Sequence, residues 1–261
     1  EDLVVSEDNR TWFLTCMGSS NVIMGDAVTD RPVKTVSAAS PAEAFILYPH
    51  GIAIHNGIDR LLVTSTVKPD MSEAGESVTV IEASTGTVLS THKISSKPSP
   101  AKSAPVEIMF SPKTDPPVVH ITNMMEGTLW AGVWDPASKT FSFHQVDDFG
   151  PREQGMPLEV LYNAKGDRLF VTTAKPGSVN LYDNRDPRAA AESFSAGHAA
   201  REPVVLQVVL RVESLRRAFR EQEDSQAACP YSLGMRMVLI IKLPERAKSS
   251  DNGCKIGRAH V

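Results

Sequence analysis

One phrase of this sequence returns three times at a period near fifty residues. The copies are Pro49-His50-Gly51-Ile52-Ala53-Ile54-His55, Pro105-Val106-Glu107-Ile108-Met109-Phe110-Ser111 and Pro157-Leu158-Glu159-Val160-Leu161-Tyr162-Asn163. Their first residues are Pro49, Pro105 and Pro157, so the spacings are 56 and 52 residues. A second phrase follows a turn: Asp59-Arg60-Leu61-Leu62-Val63-Thr64 after the first copy and Asp167-Arg168-Leu169-Phe170-Val171-Thr172 after the third. The middle copy carries Val118-Val119-His120-Ile121-Thr122 there. A third apolar run comes next in each copy, at 77–82, 127–135 and 177–183, then a closing turn and an edge-like run at 88–94 and 140–146. Runs rich in β-branched and aromatic residues, bounded by Gly, Pro, Asp and Asn, read as strands and turns. Four short antiparallel strands per repeat at this period predict an all-β chain of β-propeller blades.

The opening stretch Trp12–Met17 and Asn21–Asp26 matches the second and third strands of the same unit, so the chain is expected to begin inside a blade. The expected organisation is a partial propeller over 1–200, with blades at about 1–45, 46–100, 101–150 and 151–200 of a ring of seven. Its innermost strands are expected at 51–55, 107–111 and 159–163. Three to four blades do not close such a ring, and a ring leaves no bare sheet edge only when it closes.

Beyond residue 200 the character changes. Val205, Val208, Val209, Val212, Leu215 and Phe219 have helical spacing with arginines opposite, and no repeat follows. The last seven residues, Lys255-Ile256-Gly257-Arg258-Ala259-His260-Val261, are what one frame of a common sequencing-adapter oligonucleotide encodes. Residues 201–261 are therefore expected to be a frameshifted or adapter-derived tail and not a domain, with a helix near 204–222 and a short strand near 235–243.

Composition narrows the function classes. The net charge of −4 gives no basis for a nucleic-acid surface, and no apolar run is long enough for a membrane helix. Three cysteines, Cys16, Cys229 and Cys254, match neither a disulfide framework nor a zinc spacing. Residue 1 is Glu, and the compartment stays open between cytoplasmic and extracytoplasmic. Gly18-Ser19-Ser20 and Gly86-Thr87 read as hairpin turns, since neither carries the lysine of a phosphate loop.

Candidate site residues come from the repeat. The first strand of a propeller blade lines the central channel, and the alignment puts Gly51, Glu107 and Glu159 at one equivalent position with His50 beside the first. Two carboxylates and an imidazole at one channel mouth can hold a divalent metal, share a proton or receive a cationic ligand. They can equally serve structure by accepting backbone N–H groups of the next blade. His198, at the expected opening of a further blade, is the fourth candidate. The remaining histidines read as structural: His55 as a turn hydrogen bonder, His120 as a satisfied core or interface residue, His92 and His144 as solvated on outer strands. Trp130 and Trp134 read as core or blade-to-blade packing, and Cys16 as a small buried apolar residue.

The runs Ala104–Phe110, Glu126–Trp130, Gly166–Val171 and Leu181–Pro187 resemble the selenium-binding protein (methanethiol oxidase) family of seven-bladed propellers. Ser40–Phe45 is similar to another stretch of that family. Pro49–Ile54 and Asp59–Thr64 are similar to the broader YVTN-type and lactonase-like propellers. The first resemblance implies a copper enzyme that oxidises small sulfur compounds through histidines near the axis. The family's paired-histidine and Cys-x-x-Cys motifs do not occur in this chain. The second implies a non-catalytic module that binds a small molecule or a protein partner, which is the favoured expectation.

Overall fold

The computed structural model describes residues 1–37, 46–97 and 103–184. The expectations for His198, for Ser40–Phe45 and for the tail at 201–261 lie outside the described residues. Fifteen strands occur among those described, in four separate antiparallel sheets that follow one another along the chain. The first sheet is β1 (Leu3–Val5), β2 (Thr11–Cys16), β3 (Asn21–Asp26) and β4 (Arg31–Ser37). The second is β5 (Pro49–His55), β6 (Arg60–Ser65), β7 (Ser77–Glu82) and β8 (Thr87–Lys93). The third is β9 (Pro105–Phe110), β10 (Val118–Asn123), β11 (Thr128–Asp135) and β12 (Thr140–Asp148). The fourth shows β13 (Pro157–Tyr162), β14 (Arg168–Thr173) and β15 (Ser178–Asp183). Every sheet runs in sequence order from first strand to last, so each is a meander.

The first strands of successive sheets pack on each other: β1 against β5, β5 against β9 and β9 against β13. They do not join one sheet; each sits at the inner edge of its own. This is the radial arrangement the repeat predicts. One expectation is corrected. The first blade does not begin at its second strand, because β1 pairs with β2 through Leu3↔Leu14 and Val5↔Trp12. Three residues are too few to show a period, which hides β1 from pattern reading.

Apolar side chains from both faces of the middle strands lock the blades together. Phe13 and Val22 of the first blade meet Ile52, Leu61 and Ile81 of the second. Leu62 and Val80 of the second meet Ile108, Val119 and Trp130 of the third. Val118 and Leu129 of the third meet Val160, Leu169 and Val171 of the fourth. Consecutive residues thus serve opposite interfaces, as Leu61 and Leu62 do. This explains why these strands read as unbroken apolar runs. Each such side chain contributes roughly 1.5–3 kcal/mol on burial.

Trp130 and Trp134 both lie in the interface between the second and third blades, as expected of packing residues. The Arg60 guanidinium sits 5.1 Å from the centre of the Trp134 ring, a cation–π contact across that interface. Of the outer strands, β4 is mostly exposed and β8 alternates along its length, whereas β12 is largely covered.

Candidate functional site

Each innermost strand from β5 onward enters through a residue with positive φ directly before its proline. These are Tyr48 at 48°, Ala104 at 50° and Met156 at 56°. Side chains other than glycine seldom adopt this region, so three in register mark a backbone direction that the fold requires. Their carbonyls accept the N–H groups of Thr66, Met124 and Ala174, the same bond in three blades. Two residues past the proline the pairing shifts by a bulge, between Pro49 and Ile52 and again between Pro157 and Val160. Bulges re-aim side chains. Here the re-aimed positions are Gly51 and Glu159, with Glu107 their equivalent in the third blade.

Asp2 occupies the same position in the first blade, a placement the sequence reading missed. Its N–H donates to Thr15 Oγ1 at 2.9 Å, as Gly51 N–H does to Thr64, Glu107 N–H to Thr122 and Glu159 N–H to Thr172. The signal was present in the sequence: Asp2-Leu3-Val4-Val5-Ser6 aligns without gaps on Glu107–Ser111. The ring position is thus Asp, Gly, Glu, Glu. Gly51 is glycine for a steric reason, because a Cβ there would sit 2.3 Å from the Val106 carbonyl oxygen. His50 supplies the polar group of the second blade from one residue earlier.

These four side chains share one electrostatic neighbourhood. His50 Nδ1 lies 3.1 Å from Glu107 Oε1, with both side chains largely but not fully covered. The contact is at ion-pair distance. Burial alone would push the His50 imidazole down, but the adjoining Glu107 carboxylate, with Glu1 and Asp2 further off, holds it above its ordinary value. Glu159 is raised to about 7, first by burial and then by the Glu107 charge, with Asp2 adding and His50 opposing. Asp2 is raised by burial and by Glu107, although the Leu3 and Ile52 N–H groups and His50 favour its ionised form. The Ile52 N–H belongs to the next blade, so the structural use of a carboxylate holds in part for Asp2. No donor of this kind reaches the Glu159 carboxylate among the described residues. The cluster therefore carries partial negative charge and mobile protons near neutral pH.

The donor set does not fit a copper centre. It offers one imidazole and three carboxylates, whereas copper sites draw on several imidazole or sulfur ligands. Among the described residues no three His, Cys, Asp or Glu side chains are grouped to hold a metal ion.

The other histidines divide. His120 is buried and its Nδ1 shares a short hydrogen bond with the Tyr162 hydroxyl of the next blade, the interface role expected of it. Burial, with a contribution from His144, drives its pKa down to about 3, so it is neutral. Three expectations are corrected. His55 does not bond the turn; its ring meets Phe110 edge-on with centroids 5.2 Å apart, because β9 packs directly on β5. His92 and His144 are half-buried and not fully solvated. His92 rests on Phe143 at 4.9 Å and bonds Ser90, and both histidines are lowered by burial. Outer strands of neighbouring blades approach closely enough to cover them. Cys16 is half-buried and not fully enclosed.

No protein-family model matches the chain, and no curated protein matches it. Solved structures do. Dihydro-heme d1 dehydrogenase NirN in complex with DHE superposes with a TM-score of 0.53 at 10% identity, over 70% of this chain and 34% of that one. With four radial meanders already established, this backbone match decides the architecture. The chain is a β-propeller. Hydrazine synthase of Kuenenia stuttgartiensis matches at TM-score 0.49 and 20% identity, over 70% of this chain and 45% of that one. The Cps50 (Swd1) β-propeller domain of Myceliophteria thermophila matches at 0.49 and 13%, over 70% and 51%. The propeller chain described here spans between about a third and a half of the length of these proteins. Among its described residues no helix is long and apolar enough to cross a membrane.

Proposed function

We propose that this propeller is a binding module of the YVTN-type kind, and that its ligand, a small molecule or a protein side chain, presents a cationic group to the axial mouth. One observation supports the reading: the Glu107 carboxylate, 3.1 Å from His50 Nδ1, also raises Asp2 and Glu159, the equivalent positions of two other blades. Glu159, raised to about 7 first by burial, is the group that a bound ammonium or guanidinium would stabilise in its charged form. Copper-dependent oxidation, the other implication of the sequence, has no support from the donor set at this mouth. Propellers host many functions, so the argument rests on the site and not on the fold.

The test is calorimetric titration of the chain with agmatine, which carries both an amine and a guanidinium, against neutral 1,4-butanediol as control. Agmatine is expected to bind at pH 8 and to weaken at pH 5.5. Over that interval falling pH protonates Glu159 and charges His50, and both changes oppose a cation. A Glu107→Gln, Glu159→Gln double variant is expected to bind at least tenfold more weakly, about 1.4 kcal/mol. Equal affinity in the double variant, or no agmatine binding at pH 8, would overturn the proposal.

A further inference from the structure

A threonine on the second strand of each of the first three blades makes two bonds that meet at the axial ring. Thr15, Thr64 and Thr122 are fully buried, and a hydroxyl offers one donor hydrogen and two acceptor lone pairs. Each accepts the N–H of the ring position in its own blade: Asp2 at 2.9 Å, Gly51 at 2.9 Å and Glu107 at 3.2 Å. Each donates to a carbonyl of the next blade. Thr15 reaches His50 O at 2.8 Å, Thr64 reaches Val106 O at 2.8 Å and Thr122 reaches Leu158 O at 2.5 Å. Val106 and Leu158 directly precede Glu107 and Glu159, and His50 is itself in the cluster.

The bonds therefore do more than join two sheets. In the third blade one hydroxyl grips the amide of Glu107 and the carbonyl on the N-terminal side of Glu159. The two peptide groups that set the directions of both Cα–Cβ bonds are tied to a single oxygen. In the first blade Thr15 grips the amide of Asp2 and the carbonyl of His50 itself, the peptide group on the C-terminal side of that histidine.

We infer that Thr122 and Thr15 are positioning residues, whose hydroxyls fix the separation of Glu107 from Glu159 and of Asp2 from His50 across the blade boundary. The inference rests on the axial cluster being the binding site, but its readout needs no ligand.

The experiment is a carboxyl-carbon NMR titration of Glu159 in the full chain, in Thr122→Ser and in Thr122→Val, with far-UV circular dichroism as a check on the fold. Burial raises Glu159 first, and the charged groups facing it are Glu107, His50 and Asp2, so at unchanged burial a shift of its midpoint follows their distance. The unmodified chain is expected to titrate near 7. Thr122→Ser keeps the hydroxyl and should titrate within about 0.3 of that value, within the scatter of such comparisons. Thr122→Val keeps the shape without the hydroxyl, and its midpoint should fall by about one unit or more as the carboxylates part. Should Thr122→Val not fold, Thr15→Val carries the same test, with the His50 ring titration expected to move down. A folded valine variant titrating like the unmodified chain would overturn the inference. Absent agmatine binding with a shifted Thr122→Val titration would instead sink the ligand reading and leave the positioning role standing.

Discussion

Glu159 shows how one buried side chain can carry a stability cost that depends on pH. Its carboxyl titrates near 7 in the folded chain, above the ordinary value of 4.5, chiefly because it is buried beside Glu107. A carboxyl raised on folding favours the folded state at low pH, and that advantage is lost as pH climbs through the folded value. Between pH 5 and pH 8 the Glu159 contribution therefore falls. After allowance for its partial solvation the change is about 1–2 kcal/mol. Glu159→Gln, which has no charge to bury, should match the unmodified chain at pH 5 and exceed it by that amount at pH 8. Urea midpoints at the two pH values measure this, and an equal difference at both would mean that Glu159 is not held protonated. The residue itself was legible in the sequence because Glu107 and Glu159 share a place in a gapless repeat. Asp2 was not, although it makes the same threonine bond, because three strand residues give a pattern too short to weigh. The repeat placed His50 beside the ring position of the second blade; its 3.1 Å contact with Glu107 comes from the close approach of two backbones at Gly51.

At the scale of elements, the strands were legible and their neighbours across the blade boundary were not. Alternation and turn residues located β5, β9 and β13 within two residues, since those signals are local. Which outer strand covers which histidine depends on how two sheets lean together, and no local signal reports that. The partial cover of His92 and His144 escaped the sequence for this reason. His120 was read correctly because Val119 and Ile121 beside it are apolar and β10 is buried along its whole length. The β10–β13 contact that His120 makes with Tyr162 has a pH signature opposite to that of Glu159. An imidazole lowered on folding supports the folded state above its unfolded value of 6.5, and that support drains away as pH falls toward 3. Melting temperature should therefore drop as the pH is taken from 6.5 to 4. His120→Phe, which loses the Tyr162 bond but cannot be charged, should show a lower melting temperature at pH 7 and a shallower acid decline. An unchanged acid slope in that variant would assign the decline to other groups.

Across the whole molecule, each blade buries its faces only against its neighbours. No described blade has a core of its own: Leu61 and Leu62 point to different interfaces, as do Val118 and Val119. Stability in such an array is a sum over adjacent contacts, and damage should stay near where it is made. Leu169 is fully buried between the third and fourth blades. Leu169→Ala should cost roughly 2–5 kcal/mol at that interface by removing apolar contact and leaving a cavity. Native-state amide exchange can follow the loss strand by strand. Protection should fall most in β13 and β14, less in β10 and β11, and least in β2 and β3, two interfaces away. The axial strands are the one route by which damage could travel further, since β1, β5, β9 and β13 pack in series and are joined by threonine hydroxyls. If protection instead fell equally in β2 and β14, that axial chain would be the dominant cohesion of the molecule. The apolar interfaces would then rank second to a line of hydrogen bonds, an ordering that the relative sizes of the two contributions argue against, because a hydrogen bond contributes a net 0.5–1.5 kcal/mol or so and each interface buries many side chains.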